Sequence, residues 1–272
     1  MSFPVALQLC TVKNELDKDF LATLKAVKAM GYDGVELSGL SGHSADEVKN
    51  MLDEAQLIPV SAHVPFEDLV RDTDRIVSEY ADMGCKYIVI PYLLPKYQPP
   101  SEKFYEVVEK SRFIGRVCNQ YGVQLLYHNN DFEFRVFAGY YALDILFSEV
   151  SSFLLKTQLD TCWIKLSGED PAEYIEKYTN RAPVVTLKDF ISDEGANSML
   201  ELISLQQKAA PDYEVFSFMP LGQGKQDFVS ILEACKNANT EWLVVEQEVP
   251  TRGKSTLECA RESIDYLSTI NK

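Results

Sequence analysis

The sequence predicts an α/β fold of the (β/α)8 class. Short β-like runs alternate with amphipathic helical stretches through all 272 residues, and the βα units number eight, with no long hydrophilic linker between them. Alternation implies a parallel sheet flanked by helices. Eight units in about 250 residues is the number and length at which such a sheet closes on itself. A doubly wound open sheet would usually start with a glycine-rich phosphate turn after its first strand. The segment Gln8-Leu-Cys-Thr11 is nothing like one. The chain therefore reads as one domain over 1–272, large enough to bury roughly 70–75% of its unfolded surface without staples.

The elements follow in order. Val5 to Leu9 is the first strand, and Asp19 to Met30 a helix with apolar residues at helical spacing that stops at Gly31. Gly34 to Leu37 is the second strand. Ser44 is an N-cap with Glu47 as its capping-box partner, opening a helix to about Ala55. Ile58 to His63 is the third strand, followed by a helix over Asp68 to Met83. Lys86 to Ile90, the helix Ser101 to Tyr121, and Val123 to Tyr127 complete strands four and five. A helix near Tyr140 to Glu149 leads to strand six, Leu154 to Asp160, with a helix from Pro171 to Tyr178. Strand seven is Ala182 to Lys188. A helix near Met199 to Lys208 and an extended piece, Tyr213 to Phe218, interrupt the pattern. The helix Phe228 to Asn237, strand eight at Trp242 to Glu246 and the helix Ser255 to Thr269 close the chain.

Composition narrows the function. Net charge is −15, which argues against DNA, RNA and anionic lipid as partners, because they need basic surface. The six cysteines are scattered without a CxxC pair, so they read as reduced thiols of a cytoplasmic protein. The opening segment has no basic stretch and only a short apolar run, and no membrane span is expected.

Function in this fold sits where strands end at the C-terminal face. The polar residues there are Glu36, His63, His128 with Asn129, Asn130 and Asp131, Asp160, Lys188 with Asp189, and Glu246 with Glu248. Each has an ordinary alternative: Glu36 in a barrel ion pair, His63 as a satisfied core histidine, Asp160 as a turn cap, Lys188–Asp189 as a local salt bridge. Glu246 follows the apolar run Trp-Leu-Val-Val, where a carboxylate is costly unless paired or metal-bound. Jointly these residues describe a polar mouth with two carboxylates and an imidazole, a set that suits a divalent cation.

At these residues the sequence resembles the sugar phosphate isomerase/epimerase family, the xylose-isomerase-like TIM barrels. The marks are Gly-Tyr-Asp-Gly-Val-Glu-Leu (31–37), Ser-Ala-His-Val-Pro (61–65), Tyr-His-Asn-Asn-Asp-Phe-Glu-Phe (127–134), Leu-Asp-Thr-Cys-Trp (159–163), Leu-Lys-Asp (187–189), Leu-Gly-Gln-Gly (221–224) and Val-Val-Glu (244–246). The resemblance implies one divalent metal, Mn, Mg, Co or Zn, on a Glu, an Asp, a His and a Glu at four strand ends. Asp160 and Glu246 keep their type. His128 stands at the first Glu position, Thr186 at the His position, and Asn130 where a subgroup has a second His.

Two readings of the site follow. In one, His128, Asp160 and Glu246 hold the metal, with Thr186, water or substrate completing it and Glu133 able to swing in. In the other, the site works without metal. The implied activity is aldose–ketose isomerisation or epimerisation of a small polyhydroxylated sugar. Glu246 would be the base, His128 a second base, and Lys188 the stabiliser of oxyanion charge. Glu36, His63 and Asn130 would bind substrate, Trp163 would offer a stacking face, and Phe66, Tyr92 and Phe134 would line the pocket. The alternatives are a metal-free sugar-binding or regulatory barrel and a keto-sugar lyase or dehydratase. No basic cluster marks a phosphate subsite, and a homodimer through the barrel helices is left open.

Overall fold

The computed structural model describes residues 2–192 and 216–272. Eight parallel strands form a closed barrel: β1 (Val5–Gln8), β2 (Gly34–Leu37), β3 (Ile58–His63), β4 (Tyr87–Ile90), β5 (Gln124–His128), β6 (Lys156–Asp160), β7 (Val184–Leu187) and β8 (Trp242–Val245). Each strand pairs with its neighbours in sequence, and β8 closes on β1 through Val5 opposite Leu243 and Ala6 opposite Val244. The register slips between Val35 and Glu36, so Glu36 faces Ser61 of β3. Gly34 is glycine for a local reason: a Cβ there would meet the Ile58 carbonyl oxygen at 2.6 Å.

Side chains alternate across the barrel wall. Outward residues join helices in the main core, whereas Ala6, Val60, Tyr87, Val89, Leu126, Val184 and Val244 form a separate cluster inside. The same alternation carries the interior upward in layers. Above the apolar plug lie Gln8, Glu36, Gln158 and Thr186, all fully buried. Above them stand His63, His128, Asp160, Lys188 and Glu246.

Several elements differ from the sequence reading. The helix expected over Asp68 to Met83 is two helices, Phe66–Arg71 and Thr73–Asp82, broken at Asp72, whose φ −149 and ψ 61 lie outside the helical region. The helix expected near Tyr140 starts at Ala142, after a two-residue ribbon (Val136–Phe137 with Tyr140–Tyr141) turned by Ala138 and Gly139 at positive φ. A short helix, Thr161–Leu166, follows β6, because the Asp160 carboxylate accepts from the N–H groups of Cys162 and Trp163. After β7, Asp189–Ser192 pairs antiparallel with Phe216–Met219, which contains the end of the expected extended piece. The helix expected near Met199 to Lys208 lies outside the described residues. Among the described residues no helix is long and apolar enough to cross a membrane.

Candidate active site

Two charged groups occupy the barrel mouth. The first centres on Glu36. Its carboxylate accepts from Gln8 Nε2 (2.9 Å), Gln158 Nε2 (3.1 Å) and the Ser61 hydroxyl, and it pairs with His63 Nε2 at 2.9 Å. Burial alone would raise its pKa. The charge of His63 and the donated hydrogen bonds outweigh that and hold it at about 2. Burial works against a charged His63, but Glu36 outweighs it and raises the imidazole above its usual range. Glu36 is thus sealed beneath the mouth, and His63, at its rim, faces His128 with ring centroids 5.1 Å apart.

The second group centres on Lys188. Its Nζ lies 2.9 Å from Asp160 Oδ2, 2.7 Å from Glu248 Oε1 and 3.4 Å from Glu246 Oε1. The side chain is fully buried, with the ammonium 5.1 Å from the Trp163 ring centre and 5.7 Å from that of Phe218. Burial opposes the charge, but the three carboxylates raise the lysine pKa well above normal. Asp160, opposed by burial but paired with Lys188 and His128, is held well below the usual carboxylate range. Burial and the neighbouring Glu246 push Glu248 upward despite Lys188.

His128 Nε2 stands 3.4 Å from Asp160 Oδ2. His128, Asp160 and Glu246 each offer a ligand atom within 4.8 Å of the others, a triad that could hold a metal ion. The donor set and its state fit a divalent cation. Glu246 Oε2, Glu248 Oε2 and His128 Nδ1 are buried and meet no hydrogen-bond partner among the described residues. Three carboxylates around one ammonium also leave an excess of negative charge in a dry site.

The remaining expected residues are placed as follows. Asn130 is buried, and its Nδ2 donates to the Pro91 carbonyl, tying the β5 loop to that of β4. Trp163 is buried, with Phe218 edge-on to its ring. Thr186 is fully buried and its hydroxyl takes a hydrogen bond from Gln158 (2.8 Å).

Glu133 does not swing into the mouth. It follows the outward Tyr127, whose hydroxyl donates to it, and the Asn130 N–H donates at 2.8 Å. Burial pushes Glu133 up to about 8 against those bonds. Asp189 also turns away and makes no pair with Lys188. It accepts from the N–H groups of Gly222, Gly224 and Gln226, which explains the Leu-Gly-Gln-Gly loop: a Cβ at Gly224 would meet Asp189 Oδ1 at 2.2 Å. Phe66 packs edge-on to Tyr97, and Phe134 against Tyr141 and Tyr174, so both serve packing.

Sequence reasoning missed Gln8 and Gln158. The signal was present: each is an amide at an inward position of a strand. It also missed Cys10, whose thiol donates to Glu246 Oε1 at 3.8 Å.

A cleft of about 460 Å³ adjoins the mouth at His63, between Ser38, Pro91 and the helix 73–82. Its two arginines are already paired, Arg71 with Asp68 and Arg75 with Asp72 and Glu79.

The family model for the xylose isomerase-like TIM barrel matches residues 24–270. The chain belongs to that family. Among curated relatives, it is 23% identical over 275 residues to the inosose dehydratase of Clostridium beijerinckii, covering 92% of this chain and 89% of that one. A solved sugar phosphate isomerase/epimerase from Parabacteroides distasonis superposes with TM-score 0.80 at 20% identity, over 99% of this chain and 100% of the other. The probable 3-DHS dehydratase AsbF of Bacillus anthracis gives 0.72 at 16% identity, over 98% and 99%. The family match bears out the xylose isomerase-like type, and these structures bear out the barrel.

Proposed function

We propose that the chain is a dehydratase acting on an uncharged keto-sugar or keto-cyclitol, removing a proton next to the carbonyl and expelling a hydroxyl one carbon further on. The observation that supports this over epimerisation is the closeness of the candidate bases. A base attacks from about 3 Å, so two bases on opposite faces of one carbon stand about 6 Å apart. His128 and Glu246 offer their ligand atoms within 4.8 Å. That spacing suits proton transfer on one face, and the mouth also holds an acid.

Glu246 is the base, through the oxygen that meets no hydrogen-bond partner among the described residues. It takes the α-proton, and the C–H electron pair moves onto the carbonyl oxygen. The Lys188 ammonium stabilises that developing oxyanion while remaining bound to Asp160 and Glu248. His63, whose protonated form Glu36 favours, gives its proton to the departing hydroxyl, which leaves as water as the enolate collapses to an enone. His128, Asp160 and Glu246 would hold one divalent ion, Mn, Mg, Co or Zn. When bound it supplies Lewis-acid polarisation of the substrate oxygens. Lys188 is already held by three carboxylates, which supports an unphosphorylated substrate. The inosose dehydratase relative supports a keto-cyclitol as the first compound to test.

A second reading, aldose–ketose isomerisation, uses the same single base and returns the proton to the neighbouring carbon. Incubation with an inosose in D2O, followed by NMR, separates the readings. Dehydration gives α-proton exchange together with loss of water. Exchange without water loss, with a rearranged sugar, supports the isomerase. Neither signal across keto-cyclitols and keto-sugars rejects both and leaves a sugar-binding barrel.

A further inference from the structure

Two of the three residues that could hold a metal already have a cation on them. Lys188 Nζ contacts Asp160 Oδ2 at 2.9 Å and Glu246 Oε1 at 3.4 Å, inside a triad whose ligand atoms span no more than 4.8 Å. A divalent ion bound there would share both carboxylates with an ammonium only a few ångströms away, and like charges repel strongly where water is excluded. The lysine has little room to retreat. Its side chain is 1% exposed, with the rings of Trp163 and Phe218 close to its ammonium. Thr186, at the foot of the site, already accepts one hydrogen bond from Gln158.

We propose that Lys188 is a resident cation that competes with a divalent ion for Asp160 and Glu246. It keeps the mouth assembled in the absence of metal and weakens metal binding when the ion is present. This rests on the reading of His128, Asp160 and Glu246 as the metal-holding triad. Glu248 is what lets lysine and ion coexist: it gives the ammonium a third carboxylate, 2.7 Å away, outside the triad. The consequence is a site that tolerates metal loss, unlike one whose carboxylates depend on the ion for their only counter-charge.

The test uses the full chain, stripped with a chelator and titrated with Mn²⁺, with free Mn²⁺ read by electron paramagnetic resonance. Lys188→Met should bind Mn²⁺ at least tenfold more tightly than wild type. Lys188→Arg, which keeps the charge, should stay close to wild type. In thermal melts the wild type should change little between chelator and Mn²⁺, whereas Lys188→Met should fall in chelator and recover with the ion. Lys188→Gln gives the same reading if the methionine variant does not fold. Equal Mn²⁺ affinity in wild type and Lys188→Met, with measurable binding in both, overturns the competition but leaves the triad standing. Equally tight binding by Lys188→Arg and Lys188→Met overturns it too, because charge is then not the cause. No Mn²⁺ binding by any variant overturns both the competition and the triad as a metal site.

Discussion

The two halves of the barrel mouth are built on opposite principles. Around Glu36, three neutral donors and one imidazole converge on a single carboxylate, and its oxygens are saturated. Around Lys188, three carboxylates converge on one ammonium, and Glu246 and Glu248 each keep a buried oxygen without a partner among the described residues. The first half satisfies the Glu36 carboxylate and holds His63 against it, although Gln158 Oε1 there meets no hydrogen-bond partner among the described residues. The second is incomplete by itself, since buried polar atoms are rarely left unpaired in a folded protein. On the proposed mechanism, substrate is to be sought at the Lys188 side, with His63 reaching across from the other.

The sharpest way to break that contrast is Glu246→Gln. On the proposed mechanism it should lower the α-proton exchange rate by about 10³-fold, near the middle of what a positioned base contributes. Sugar binding, followed by calorimetry, should fall far less. If exchange survives, the base lies elsewhere and the contrast loses its functional meaning.

Asp160→Ala comes next. It removes one carboxylate from a buried ammonium and also the cap of helix Thr161–Leu166. A loss of about 3 kcal/mol in urea unfolding is expected, the low end for breaking a buried pair because Glu246 and Glu248 remain.

Glu36→Gln tests the saturated half through pH. The folded pKa of Glu36 is depressed from 4.5, so its contribution is present above about 4.5 and is lost as pH falls towards 2. That of His63 is raised from 6.5, so its contribution is full below 6.5 and is lost as pH rises through the raised value. The stability gap between wild type and Glu36→Gln should therefore be widest between pH 4.5 and 6.5, at about 2 kcal/mol, and should narrow on both sides. A gap that is flat with pH would show that the pair is not charged.

Ser61→Ala should have the smallest effect. It removes one of the donors to Glu36, at about 1.5 kcal/mol of stability, and should leave turnover within tenfold of wild type because Gln8, Gln158 and His63 remain. A large fall in turnover with stability unchanged would move Ser61 from the supporting layer into the chemistry.

How far the site was legible depended on the residue. Glu246 stood out because a carboxylate after four apolar strand residues needs a partner, and it does stand at the mouth. Asp160 was readable both as a site residue and as a turn cap. It is both: one oxygen caps Cys162 and Trp163 while the other meets Lys188 and His128. Asp189 read as a strand-end residue that could pair with Lys188, and Glu133 as one that could swing in. Successive strand-end residues point opposite ways, which turns Asp189 from Lys188, whereas Glu133 lies beyond β5 in the short turn Phe132–Phe134. Asp189 went to the glycine loop and Glu133 to Tyr127. The break at Asp72 was hidden because apolar spacing continued through it.

The amino-acid order alone determined the eight strands, the closed parallel barrel and the candidate set at its mouth, because period-two and period-3.6 patterns and helix caps are local properties. Only the tertiary structure decided which of those residues share a charge. Residues from β1, β2, β3 and β6 meet at Glu36, and residues from β6 and the ends of β7 and β8 meet at Lys188, at sequence separations up to 150 residues. Closure of the barrel brings them together, and no local pattern encodes which donor a buried carboxylate will find.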